Sequence, residues 1–392
     1  MSIESDAKYP LAYCTNVHAG TGFAEMSANL RNWVPRVQEY RSQRGPMGIG
    51  LWFSNRSVVE ARQTENLKQL RYWLDVNSLV PFTANAFPQG DFHQPIVKYD
   101  VYQPDWSTAE RLNYTLAVVR LMDELAPRDC EISISTLPLG WPTPAPTDTF
   151  FQDCARNLLA VCRELETLER KSGRLAYLCL EPEPGCILDS SDDLVNFFER
   201  WLLADASHAA SVRRFLRVCH DICHSAVMFE SQTAAIERFR RAGIAIGKVQ
   251  ISAAVEANFV DRGAADRQQI MSALHQFHEP RYLHQTNVLR AGDECILFDD
   301  LSQALSDVPD PANTRWRVHF HVPIFLSELG PLRTTNDQIE QFLRGLIGHD
   351  MPLHFEVETY AWNVLPPSHA PNDLAAGIAA ELDWFNELRR GM

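Results

Sequence analysis

Residues 353–359 read LHFEVET, in which apolar Leu353, Phe355 and Val357 alternate with polar His354, Glu356 and Glu358. Side chains of a strand point to opposite faces in turn, so this stretch predicts a strand with one apolar face and one acidic face. The pattern recurs. In 175–183 (LAYLCLEPE) Ala176, Leu178 and Leu180 oppose Tyr177, Cys179, Glu181 and Glu183. In 245–252 Val249 and Ile251 oppose Lys248, Gln250 and Ser252; in 131–136 Ile132 and Ile134 oppose Ser133 and Ser135. In 316–322 Val318, Phe320 and Val322 oppose Arg317, His319 and His321. A parallel sheet covered on both faces normally reads as continuous apolar runs. Here one face turns polar towards the C-terminal end of strand after strand, which predicts a barrel inside a jacket of helices: apolar residues meet the helices and polar ones point into the open C-terminal rim. The rival reading is an open sheet with one wet face.

Working outward, further strands are expected at 11–16, 47–54, 80–86 and 215–221, with helix-period stretches at 108–126, 150–169, 229–242, 263–276 and 336–348. Strands alternating with helices almost from end to end predict one (β/α)8 TIM barrel domain over 1–392. Nine strand candidates exceed eight, so one lies outside the barrel. The stretch 277–315 reads as an excursion, and 316–322 is either a barrel strand or part of it.

Composition narrows the function. Hydrophobic residues at 45% and charged ones at 22% are the balance of a globular protein, and no apolar run approaches the roughly 20 residues of a membrane span. The start, MSIESDAKYPL, has no basic and apolar secretory pattern, so a cytoplasmic location is the expectation. Nine scattered cysteines without a C-x-x-C pair read as reduced thiols. A net charge of −14 disfavours nucleic acid and favours a small-molecule substrate. Glycine loops for nucleotides and the G-x-S-x-G elbow are absent.

Ligand-type side chains end four late segments: Glu181 with Glu183, Asp221 with His224, Gln250, and Glu356 with Glu358. Taken singly, a Glu at a strand end is more often a solvated rim residue, and a lone His a satisfied polar group. Their coincidence on one face and one end carries the weight, because clustered carboxylates repel unless a cation joins them. Carboxylates and an amide suit manganese or magnesium; adding His321 shifts the preference to zinc or iron. Asp221-x-x-His224 stands where a strand turns into a helix, so one residue can hold metal while the other meets substrate. Asn16 and His18 in TNVHAG, and Asn85, Asp91 and His93 in NAFPQGDFH, read as rim residues next to the substrate.

LCLEPEPG, CHDICH, KVQIS and HFEVETYAW match in order the Glu, Asp-x-x-His, His-or-Gln and Glu motifs of the xylose isomerase-like superfamily of TIM barrels, which the chain resembles over roughly 175–360. With YCTNVHAG, TANAFPQGDFH, HDICHSAVMFE and HFHVPIF the chain looks more narrowly like the EboE group of metabolite traffic proteins, over nearly its whole length. The resemblance implies Glu181, Asp221, Gln250 and Glu358 as metal ligands, with Glu181, Glu358 and the substrate-facing His224 as catalytic residues. It places His319-Phe-His321 where the endonuclease branch carries Asp-x-His, so His321 becomes a further ligand and His319 a substrate contact. The implied cofactor is a divalent metal, manganese or zinc ahead of magnesium, iron or cobalt. The implied partners are a small molecule and other proteins of the same gene cluster.

Three functions compete on these residues: a metal-dependent isomerase or epimerase of a sugar, polyol or related metabolite, a metal-dependent phosphoester hydrolase using His18, His319 or His321 for a second ion, and a non-catalytic binding or scaffold protein of a metabolite biosynthesis or export system.

Overall fold

The strands at Leu11–Cys14 (β1), Met47–Trp52 (β2), Leu79–Asn85 (β3), Ile132–Thr136 (β4), Ala176–Leu180 (β5), Leu216–Asp221 (β6) and Ile246–Ile251 (β7) lie parallel. A last strand, His354–Val357, closes the ring between β7 and β1. These elements come from a computed structural model that describes residues 10–306, 313–348 and 352–391. The architecture is a closed eight-stranded (β/α)8 barrel, and each member of the ring is a stretch where apolar and polar residues alternate or run apolar throughout. The outward set, including Ile134, Leu178, Val249 and Phe355, is buried against the helical jacket.

Local chemistry delimits the jacket. The helix Asp148–Ser172 starts on Thr147, whose hydroxyl accepts from the Phe150 amide, and stops at Gly173 in the left-handed conformation (φ +72°). The helix Gln232–Ala242 is bounded in the same way by Ser231 and Gly243.

Between β7 and the closing strand the chain builds a second, antiparallel sheet. Its strands are Val255–Asn258 (β8), Thr286–Arg290 (β9), Cys295–Phe298 (β10), Asn313–Val318 (β11), Glu328–Leu329 (β12) and Leu332–Thr334 (β13), in the order β10-β9-β11-β8-β13-β12; the closing barrel strand is therefore β14. Segment 316–322 begins in β11 and so belongs to this sheet and not to the barrel. The sheet reaches from 255 to 334 on both sides of 277–315, whose residues 307–312 lie outside the described residues, as does the N-terminal stretch 1–9. It rises from the C-terminal end of β7, the end where barrel enzymes carry their sites. After β11 the chain stays extended: the His319 amide donates to Gln285 O (2.8 Å) and the Val322 amide to Ala253 O (3.0 Å), which lays His319 and His321 across the barrel mouth. Among the described residues no helix is long and apolar enough to cross a membrane.

Candidate metal centre

The site grows from the ends of β5, β6, β7 and β14. Asp221 ends β6 and caps the short helix Ile222–Val227, its Oδ1 accepting from the His224 amide (2.9 Å). That cap explains the Asp-x-x-His spacing, because His224 is the third residue of the helix and turns back over the rim. Ser252 Oγ donates to the same Oδ1 at 2.7 Å. Asp221 Oδ2 is left buried with no hydrogen-bond partner, and Glu181 Oε2, both polar atoms of Gln250, and His321 Nε2 share that condition. Carboxylate oxygens of Glu181, Asp221 and Glu358 lie within 4.8 Å of one another. Gln250 stands in register between Asp221 on β6 and Glu356 on β14.

Buried polar atoms without partners are costly, and several converging on one point are a donor set for a hard or borderline divalent cation. Burial first, then the neighbouring Glu358 and Asp221, pushes Glu181 well above the usual carboxylate range. Burial and Asp221 likewise push Glu358 up to about 8. Burial also opposes charge on Asp221, but the His224 and His321 rings, the His224 amide and Ser252 outweigh it and hold Asp221 below its ordinary value. A cation would reverse the penalty on both glutamates, so the residues present fit a divalent metal.

The strand reading left each glutamate pair open. Glu356 lies one layer deeper than Glu358, paired with Lys248 Nζ at 2.6 Å, both side chains fully buried. Gly50 makes room for it, since a Cβ there would collide with Glu356 Oε1. Glu183 accepts from Tyr102 Oη (2.7 Å) and Gln285 Nε2 (3.0 Å), and burial pushes it up to about 7. Glu181 and Glu358 are thus the members that meet Asp221.

Asn16 and Asn85 both reach the centre. Their amides donate to Glu358 Oε1 at 2.7 and 2.9 Å, and Asn85 is turned that way because its own oxygen takes the Phe87 amide. His224, His319 and His321 line the pocket above. In each ring Nδ1 faces an oxygen: Pro182 O (2.9 Å), Gln285 Oε1 (2.7 Å) and Glu358 O (2.7 Å) respectively. A carbonyl can only accept, so Nδ1 carries the proton and Nε2 keeps a lone pair, the arrangement of metal-ligating imidazoles. His224 Nε2 and His319 Nε2 lie 3.1 Å apart. Burial lowers all three histidines, His224 to about 4, so they are neutral at pH 7.

Three sequence-selected residues are placed elsewhere; Asp91 lies exposed on the loop after β3, its Oδ1 accepting from the His93 amide at 2.9 Å. His18 stacks on Trp33 of the helix Phe23–Tyr40 (centroids 5.7 Å apart), with Tyr13 Oη 3.3 Å from its Nε2, and so packs in the jacket outside the pocket. His93 approaches Asn16 O at 2.6 Å through Nε2 and fastens the loop after β3 to the end of β1 without lining the pocket. Tyr102, Gln285 and Lys248 were not selected as site residues. Lys248 shows in the sequence as an inward-facing cation in β7, whereas Tyr102 ends a short 3-10 helix, Lys98–Tyr102, and Gln285 precedes β9, both too short or irregular to show a period.

No protein-family model and no curated protein matches the chain. Solved structures do. A xylose isomerase domain protein from Planctomyces limnophilus superposes with a TM-score of 0.51 at 14% identity, covering 98% of each chain. The probable 3-DHS dehydratase AsbF from Bacillus anthracis gives 0.49 at 11% identity over 96% of this chain and 98% of its own. The IolI protein with a bound zinc atom gives 0.49 at 9% identity over 97% and 98%. At such identities the likeness speaks to fold, and the chain has the fold of the xylose isomerase-like (β/α)8 TIM barrels.

Proposed function

We propose that the protein is a metal-dependent isomerase or epimerase of a polyol, keto sugar or related small metabolite with adjacent carbonyl and hydroxyl oxygens. The observation that carries this is the cluster of Glu181, Asp221 and Glu358 carboxylate oxygens within 4.8 Å of one another, with partnerless oxygens on Glu181 and Asp221, Gln250 in register beside Asp221, and Glu181 and Glu358 lining the pocket. These four residues would hold the cation, with manganese or zinc the best match to the donors. When bound, it would polarise the substrate carbonyl and make the neighbouring C–H bond more acidic. The chain's own residues do the rest. Glu181, after β5, and Glu358, after β14, would take a proton from the substrate carbon and return one to it. Asn16 and Asn85 fix the orientation of Glu358. His224, its Nδ1–H donating to Pro182 O, would accept from a substrate hydroxyl at Nε2.

The narrower identity we propose is the EboE type, acting in metabolite biosynthesis or export beside proteins of the same gene cluster. The test is metal-dependent exchange of carbon-bound hydrogen with deuterated water across a panel of keto sugars, polyols and α-hydroxy ketones with aliphatic or aromatic tails. Exchange lost in Glu181→Gln and Glu358→Gln supports the reading; no exchange in the metal-loaded protein with any of them counts against it.

A second reading, phosphoester hydrolysis with two cations, is favoured by the facing lone pairs of His224 and His319, which repel unless a cation or proton lies between them. Metal stoichiometry separates the two: one ion per chain for isomerisation, two for hydrolysis.

A further inference from the structure

Above its polar floor the pocket changes character. Its wall carries two aromatic groups. Phe92, Tyr282 and Tyr360 pack against one another with ring centroids 5.0 to 5.3 Å apart. Phe87 and Tyr102 form the other, 6.1 Å apart. Val97, Val101 and Leu283 fill the gaps.

Most of the polar groups that reach this wall are spent inside the protein, the Tyr360 hydroxyl being the exception. Tyr102 Oη donates to Glu183, Tyr282 Oη donates to Phe92 O (3.1 Å), and Lys98 is paired with Asp300. A free sugar carries a hydroxyl on nearly every carbon. Those beyond the chelated pair would be stripped of water against aromatic and aliphatic surface, and each hydroxyl buried without a partner weakens binding. An aromatic ring in the same place loses nothing and gains apolar burial and ring stacking. The wall thus selects against a hydroxylated tail by the same rule that lets a site built for one chemistry reject another.

We propose that the substrate has a chelating head of adjacent oxygens and an apolar, aromatic body lodged between Phe87, Phe92, Tyr102, Tyr282 and Tyr360. This rests on the reading that a cation at the floor binds the head, and it narrows the substrate within that reading.

The test uses three hydroxamates with the same chelating head and different tails: benzohydroxamate (aromatic), acetohydroxamate (methyl) and D-threonohydroxamate (polyhydroxylated). Each is titrated calorimetrically into the manganese-loaded full chain. Benzohydroxamate is expected to bind at least tenfold tighter than the other two, and Phe92→Ser to remove at least fivefold of that advantage. Acetohydroxamate, too short to reach the wall, reports whether the floor is intact in the variant, and Phe92→Leu separates loss of the ring from loss of apolar area. Equal affinities, or tighter binding of D-threonohydroxamate, would overturn the aromatic body while leaving the metal-bound head in place. Failure of all three to bind a protein that holds manganese would overturn the head reading and this inference with it.

Discussion

Lys248→Met is the substitution on which the structure makes its sharpest demand. Lys248 Nζ lies 2.6 Å from Glu356, with Ser135 Oγ at 3.1 Å and Ala84 O at 3.3 Å, and neither charged side chain is exposed. Burial works against the lysine charge, but Glu356 outweighs it and raises the ammonium above its ordinary range. Without the lysine, Glu356 is a lone carboxylate one layer below Glu358, with no water to turn to. Breaking one half of a buried pair in this way costs about 3–5 kcal/mol. An unfolding entropy of roughly 2.1 cal/mol/K per residue over 392 residues is about 0.8 kcal/mol/K, so the melting temperature should fall by about 4–6 °C. The double variant Lys248→Met/Glu356→Met removes both charges and should recover most of the loss, because well-packed apolar side chains commonly replace a buried pair at little cost. Urea and thermal unfolding of the wild type, both single variants and the double variant, run metal-free and metal-saturated, complete the cycle. A single variant within about 1 kcal/mol of wild type, or a double variant no better than the worse single, would refute the reasoning.

Three more perturbations test other parts of the molecule. Manganese or zinc at a hundred times its dissociation constant should stabilise the protein by about 2.7 kcal/mol, reversibly with a chelator, and Asp221→Asn should abolish both the shift and the metal found by elemental analysis. Glu381 accepts from Thr359 Oγ1 (2.6 Å) and the Ile324 amide (3.2 Å), and burial pushes it up to about 8. Its folded value lies above its unfolded one, so its contribution is most favourable below about pH 4.5 and is lost as pH rises to about 8. Glu381→Gln should therefore gain on wild type in melts from pH 5 to pH 8; a gap that does not widen with pH contradicts this. The Val97 and Lys98 amides on Arg281 O (2.7 and 2.9 Å) hold the loop after β3 to the chain entering β9, and the Lys98–Asp300 pair ties it to the chain after β10. Lys98→Ala should change stability by less than about 1 kcal/mol yet speed proteolysis within 91–100 severalfold. Unchanged cleavage would mean the main-chain bonds alone hold the loop.

The part of this protein that could be read in advance is the part governed by local periodicity. Alternation along 175–183, 245–252 and 353–359 depends only on the geometry of each strand, and it sends Glu181, Gln250 and Glu358 to one face and one end; Asp221 is marked by its Asp-x-x-His spacing where a strand turns into a helix. The rest depends on partners distant in sequence. Pro182 follows the end of β5, so alternation no longer governs Glu183, and Tyr102 and Gln285 capture it from elements 81 and 102 residues away. His18 resembled a rim residue, but the helix Phe23–Tyr40 presents Trp33 to its ring and draws it into the jacket. Short strands of the second sheet, such as Glu328–Leu329, carry too few residues to show a period and exist only through pairing across the chain. His319 and His321 alternate as strand residues do, yet their place over the barrel mouth is set by hydrogen bonds to Gln285 and Ala253 from that same sheet. Strand geometry determined which face the candidate ligands share; long-range packing decided which glutamates meet and what covers them.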